Sequence, residues 1–502
     1  MPRCAEQWFY WGKELHKVKA AMREKFAYGA GGFSLELITG ALSFYLMLYH
    51  TNILGISSLS SGTLFLAARA VDAVTDLVMA GIADRTRSRW GTYRPYLLIG
   101  AIPIGILFAL NFWTPAFVME AGSVGKLVWA YITYLMVGSI MATFCGVPFG
   151  SLNSVMSADR EDRSVFGSAR SIGANISYFV ISLLAMTIIL SFGTVNDSRG
   201  WNIMGVLFGI MGAAGFLLCF MGTKERIKLP PKEKTPISES LKALRNNKPL
   251  YGCIGILLFF ILMSTYFNNF TSYFCIYYLE HAEWTAPLTS VRMVVASLMA
   301  VIIPVMARRL EKRKMVFMGC LVCIVSFFIM YAVNSFGVLM VAMVTYGIGY
   351  GLIMPNVWAM IPEASDFGEW KNKIAAPAFI YAVCMFALKV ASGFASYFVG
   401  LCLDLVGFDS TLTVQTEAAR QGIHLGMSVG ALILTVCIIF FTFLLKDLDR
   451  KNLKPILDAL DAERKNNEEA VYGTAAMCEE DGSQDFGAQG GKPSGGEGVS
   501  GD

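Results

Sequence analysis

Long apolar stretches alternate with short polar ones along almost the whole chain. A helix needs about 20 predominantly apolar residues to span a bilayer. Stretches of that order lie near 27–49, 60–82, 94–113, 127–152, 170–192, 201–222, 249–279, 286–307, 315–334, 337–361, 374–401 and 423–445. The pattern predicts an all-α integral membrane protein of about twelve transmembrane helices.

The polar connections give this array a direction and a midpoint. Arg85, Arg87 and Arg89, then Arg160 and Arg163, then residues 224–248, Arg308 to Lys314, and Lys371 with Lys373 occupy alternate connections. The others carry little beyond Lys126, Arg199 and Arg420. Basic connections stay cytoplasmic, so both termini are expected there too. The longest internal polar stretch, 224–248, holds Pro230, Pro231 and Pro236 and divides the chain into two sets of six helices. The expected units are a cytoplasmic amphipathic segment at 1–26, bundles at 27–222 and 249–445 joined by a loop at 223–248, and a cytoplasmic, largely disordered tail at 446–502. Two such halves are the plan of a transporter whose substrate binds between them at mid-membrane.

Composition agrees. Of 502 residues, 55% are hydrophobic and 16% charged, against about a quarter charged in a typical soluble protein. The net charge of +4 comes from loop lysines and arginines, which argues against a nucleic-acid partner. Eleven scattered cysteines form no disulfide framework, and Cys320-Leu-Val-Cys323 reads as two small residues in an apolar helix. The four histidines lie far apart without metal-ligand spacing. Gly29 to Gly32 and Gly347 to Gly351 read as close helix packing rather than phosphate loops, and no Walker A sequence or Ser/His/Asp constellation points to an ATPase or hydrolase. The protein is therefore expected not to be an enzyme and to need no cofactor, and it is expected to act as a monomer.

The informative residues are charges inside the apolar helices. Each costs about 3 kcal/mol at the bilayer centre on insertion scales, so each calls for a function or a partner. Arg69, Asp72 and Asp76 share one face of the second helix. Two neighbouring carboxylates repel and are desolvated, which favours proton uptake or a small cation, while Arg69 opposes it. A static pair of Arg69 with one aspartate is the alternative. Glu36 in the first helix is read as a group for substrate hydroxyls or amines, or as a partner of Arg69 or Lys389. Lys389 in the eleventh helix is expected to face a cavity or a carboxylate, and Arg292, early in the eighth, to snorkel to the outer surface.

Three stretches carry a family resemblance: residues 24–29 (EKFAYG), residues 62–76 (GTLFLAARAVDAVTD) followed by 84–95 (DRTRSRWGTYRP), and residues 366–371 (DFGEWK). Together they resemble the glycoside–pentoside–hexuronide:cation symporter family of the major facilitator superfamily, over roughly residues 22–445. The resemblance implies alternating access between two six-helix bundles in a bacterial-type inner membrane. It implies cation coupling at Asp72, Asp76 and Thr143, and a sugar or glycoside site at Glu36, Arg69, Arg170, Trp358 and Lys389. The turn Asp84, Arg85, Arg87 and Arg89, with Asp366, is expected to form a cytoplasmic gate that latches the halves together.

There are departures. Where melibiose-type members carry an aspartate and a tryptophan in helix four, this chain has Gly146 and Gly150, and Ala142 replaces an aromatic. Beyond DFGEWK the chain runs Ile374-Ala375-Ala376-Pro377-Ala378-Phe379, and Cys384 and Met385 replace polar positions. The missing carboxylate tilts the coupling ion from Na⁺ towards H⁺, and the site is expected to be wider and more apolar. An uncoupled facilitator or exchanger for a more apolar or non-sugar metabolite, and a non-transporting membrane sensor, are the competing readings.

Overall fold

The computed structural model describes residues 21–157, 160–226, 242, 244–307, 309–333, 335–374, 377–409, 412, 415–460 and 462. Most of the expected amphipathic segment, central loop and tail, and the Asp84 side chain, lie outside the described residues.

Twelve long helical spans succeed one another in this region. They are α1 (Met22–Tyr49, continued by a π-helical turn over His50–Leu54), α2 (Ser58–Arg85), α3 (Arg94–Asn111) and α4 (Ser123–Tyr134, a π-helical segment Leu135–Met141, then Ala142–Met156). Next come α5 (Arg160–Ser191), α6 (Ser198–Gly222), α7 (Lys248–Tyr273, with a π-helical turn Phe274–Tyr278) and α8 (Thr285–Met306). The last are α9 (Lys312–Ala332), α10 (Phe336–Asn372), α11 (Pro377–Leu405) and α12 (Glu417–Leu425, Gly426–Gly430 and Ala431–Thr442). Eleven of them are long and apolar enough to cross a membrane. The twelfth, α2, has the length, 28 residues, but its buried charges lower its hydropathy.

Helix starts carry local chemistry. Ser57 accepts from the Ser60 amide ahead of α2, Asn247 from Leu250 ahead of α7, and Thr416 from Ala419 ahead of α12. Two boundaries differ from the sequence pattern. Helix α10 continues to Asn372 through Pro355 and Pro362, so DFGEWK is the last part of a helix and not a loop. It stops where Lys373 turns left-handed at φ 56°. Helix α5 begins at Arg160, earlier than its apolar stretch, because its first turns are polar.

In the first half α1 packs on α5 and α6, and α3 on α6; in the second α9 packs on α10, and α7 on α11 and α12. The halves meet mainly along α2 against α11 and α5 against α8. The α2–α11 seam is tight because Gly62 lies under Ser396 and Tyr397: a Cβ on Gly62 would stand 2.9 Å from the Ser396 carbonyl oxygen. At the end remote from the basic connections, the Thr51 and Tyr273 hydroxyls lie 3.2 Å apart and the Asn52 amide donates to the Tyr277 hydroxyl, so side chains of α1 and α7 close that end. Ile99, Ile102, Ile172, Leu298, Val301 and Phe440 are exposed on the periphery, as a lipid-facing surface requires.

The glycine and cysteine readings fit this packing. Cys320 and Cys323 are buried free thiols in α9, and Cys323 lies beneath Gly349 of α10.

Candidate functional site

The charged face of α2 meets two different neighbours. Arg69 donates to Asp72 at 2.8 Å and to the Tyr134 hydroxyl at 3.1 Å. Tyr134 is the last residue before the π-helical segment of α4, and such segments re-aim side chains at functional positions. One turn further along α2, the Thr143 hydroxyl donates to one oxygen of Asp76 at 2.9 Å. The ammonium of Lys389, from α11, donates to the other. The two carboxylates therefore do not share one partner: each has its own cation, one in the same helix and one from the opposite half.

Asp72 is 3% exposed, and its second oxygen has no hydrogen-bond partner among the described residues. A buried carboxylate oxygen left open is a ready acceptor for a proton or small cation. The arginine stem reaches this position because Gly393 of α11 leaves room: a Cβ there would stand 2.5 Å from the Arg69 Cγ.

A cavity of about 680 Å³ lies between the halves, within the range that holds a small organic molecule. Glu36, Arg69, Trp358 and Lys389 all line it, together with Tyr178, Arg292 and Tyr350. Glu36 pairs with neither Arg69 nor Lys389; the Tyr178 hydroxyl donates to it at 2.6 Å. Amide and hydroxyl groups of Asn175, Asn268, Ser43 and Thr265 complete a wall that is part aromatic and part polar. A second opening of about 1050 Å³ lies between α5 and α8 and is lined mostly by apolar side chains such as Ile172, Phe179 and Leu298. It lacks the charged groups of the central cavity.

Two expectations change. Arg292 does not snorkel: it is 1% exposed, because the turn of α8 that carries it packs on α10 and directs the guanidinium inwards over the rings of Tyr346 and Tyr350. Arg170 is not among the residues lining the cavity; its guanidinium stacks on Phe149 at 5.4 Å, and its backbone packs beside Gly32 of α1. Several contacts of the basic turn lie within its own half. Arg87 donates to Thr92 at 3.3 Å, Arg89 stacks on Trp90 at 4.4 Å, and the carboxylate of Glu225 accepts the backbone amides of Thr92, Tyr93 and Arg94. Exposed Arg85 ends α2, and half-buried Asp366 lies near the end of α10.

Gly146 and Gly150 leave their positions in α4 open. A Cβ on Gly150 would meet nothing within 4 Å, and one on Gly146 only the Leu35 side chain at 3.3 Å. Sequence reasoning missed Tyr134, Tyr178, Glu225 and Gly393. Each acts through a contact distant in the chain, so local pattern carried no signal.

The chain is 30% identical to the isoprimeverose transporter of Lactiplantibacillus pentosus, over 78% of this chain and 82% of that one. It is 27% identical to the glucuronide carrier protein homolog of Escherichia coli (strain K12), over 88% and 96%. Its fold is similar to the crystal structure of a bacterial homolog of the human lysosomal transporter Spinster in an inward-facing, unoccupied conformation, with a TM-score of 0.65 and 16% identity over 86% of this chain and 99% of that one. Residues 27–449 match the family of MFS/sugar transport proteins, and the chain belongs to that family, as a symporter-type membrane carrier of the major facilitator superfamily.

Proposed function

We propose that the protein is a cation-coupled symporter that imports a sugar or glycoside across a bacterial inner membrane, with both termini in the cytoplasm. The observation that carries this reading is the ion pair between Asp76 of α2 and Lys389 of α11. It joins the two halves at the wall of the central cavity, so anything that neutralises Asp76 changes how the halves are held. A cation arriving at Asp76 competes with the ammonium for the same oxygen. Lys389, released, then faces the substrate cavity. Asp72, held by Arg69, supplies the second carboxylate through its open oxygen.

Substrate binds between Glu36, oriented by Tyr178, and the Trp358 ring. Carboxylates accept hydrogen bonds from sugar hydroxyls, and an aromatic face covers the apolar side of the ring. With the basic connections in the cytoplasm, the Thr51–Tyr273 contact closes the outer side, and the state described is the inward one. The relatives named as carriers of isoprimeverose and of a glucuronide support the sugar class.

We favour H⁺ as the coupling ion. A proton needs one carboxylate oxygen, whereas Na⁺ needs several oxygen ligands, and glycine at 146 and 150 removes side chains that α4 would otherwise contribute. The same open positions favour an uncoupled facilitator as the second reading. Uptake of labelled sugars into vesicles, under a pH gradient and a Na⁺ gradient imposed separately, distinguishes the two. Accumulation driven by the pH gradient alone supports H⁺ symport. Equilibration that ignores both gradients supports the facilitator.

A further inference from the structure

Arg69 divides its guanidinium between two neighbours. One arm, Nη1, donates to a single oxygen of Asp72 at 2.8 Å, and the other, Nη2, donates to the Tyr134 hydroxyl at 3.1 Å. An arginine beside a carboxylate favours two parallel hydrogen bonds, one to each oxygen. That is not the arrangement here: the second oxygen of Asp72 has no hydrogen-bond partner among the described residues. The other charged groups of the cavity wall are engaged elsewhere. Asp76 on the same helix is held by Thr143 and by Lys389 of α11, and Glu36 by Tyr178. Tyr134 is therefore the group that competes with Asp72 for the guanidinium.

The place of Tyr134 is built by α4 and α2 together. Thr143 follows Tyr134 by nine positions, about two and a half turns of a regular α-helix. A regular helix would point the two side chains to opposite sides. The π-helical segment Leu135–Met141 lies between them. Its turns hold more residues, because its bonds run from i to i+5. Both side chains accordingly reach α2, Tyr134 at Arg69 and Thr143 at Asp76. Gly138 within the segment makes room for the ring, since a Cβ there would stand 3.0 Å from it. The ring packs edge-on against Phe65 of α2 with centres 4.9 Å apart, and the residue is 5% exposed.

We propose that Tyr134 is a positioning residue for ion coupling: by taking one arm of Arg69 it keeps the Arg69–Asp72 pair at a single hydrogen bond, which sets how readily the coupling ion neutralises Asp72. This rests on the cation-coupled reading above and deepens it. A carboxylate that accepts two bonds from one cation is more stable in its charged, paired form than a carboxylate that accepts one. Without the hydroxyl, the freed arm turns to the second oxygen of Asp72, and more ion is needed to neutralise the pair. Tyr134 acts through Arg69 in this role.

The test is Tyr134→Phe, which keeps the ring packing and removes the hydroxyl. In vesicles, the proton concentration giving half-maximal sugar uptake, or the Na⁺ concentration where Na⁺ is the driving ion, should rise about tenfold, the size of one hydrogen bond to a charged group. The half-saturating sugar concentration for exchange at saturating ion should stay the same. A second measurement needs no transport. Melting temperatures of Arg69→Met, Asp72→Ala and the double variant give the coupling between the two residues, and that coupling should be larger when Tyr134→Phe is added to each.

An equal or smaller coupling would overturn the proposal, as would loss of folded protein in Tyr134→Phe itself, which would make the hydroxyl structural. A change in sugar affinity with the ion requirement unmoved would make Tyr134 a sugar contact instead. Ion-driven uptake whose ion requirement is unchanged or lower in Tyr134→Phe would leave the symporter reading standing and remove this one. If no ion gradient drives uptake in the unaltered carrier, both fall.

Discussion

Lys389 and Asp76 lie 313 positions apart in the chain and join its two halves through one ion pair. Asp76 also holds the Thr143 hydroxyl, so α2, α4 and α11 converge on a single carboxylate. A cation that binds there acts on the contact between the halves directly. No relay through the intervening protein is needed to connect ion binding to a change of state.

The neighbouring pair has a different role. Arg69 and Asp72 are one turn apart on one helix and largely buried. Removing one member leaves a buried charge uncompensated, which costs about 3–5 kcal/mol. Asp72→Ala is expected to lower thermal stability in detergent by an amount in that range. The double variant Arg69→Met with Asp72→Ala should recover much of the loss, and melting curves of the two singles and the double measure this.

Tyr178 orients Glu36 from the neighbouring helix. A hydrogen bond to a charged group contributes about 1.5–3 kcal/mol. Tyr178→Phe is therefore expected to weaken sugar binding roughly tenfold or more, with the ion dependence of transport unchanged. Binding isotherms at several pH values test both halves of that statement.

The α2–α11 seam depends on a missing side chain. Gly62→Val would push its side chain into the Ser396 carbonyl and separate the two helices. The expected result is a carrier biased away from the state described here, with transport strongly reduced. The Thr51 and Tyr273 positions, whose hydroxyls are 3.2 Å apart, report this: cysteines placed at both should be bridged readily by a bifunctional thiol reagent about one tyrosine side chain long in the parent, and poorly in Gly62→Val.

Much of this was legible in the chain. The span pattern identified the helices because lipid demands long apolar segments whatever the tertiary fold. The α2 charges stood out because they violate that demand. The partners of those charges did not stand out. Lys389 meets Asp76 only because α11 crosses α2 where Gly393 and Gly62 let it approach, and a linear pattern does not contain that crossing. Arg292 looked like a snorkelling residue because it lies early in its helix. Its inward direction depends on which face of α8 packs on α10 and on the Tyr346 and Tyr350 rings waiting there. The DFGEWK segment looked like a connection because it is polar, yet backbone hydrogen bonding carries α10 through it to Asn372. Arg170 matched a motif, but its side chain follows the space beside Phe149.

The most direct test compares two measurements on Asp76→Asn reconstituted in vesicles: exchange of sugar at equilibrium, and accumulation driven by an ion gradient. Asparagine keeps the shape but loses the charge, so Lys389 is no longer held and the carboxylate no longer takes up a cation. Exchange is expected to continue while gradient-driven accumulation is lost. Accumulation against a concentration gradient at the unaltered level would contradict it.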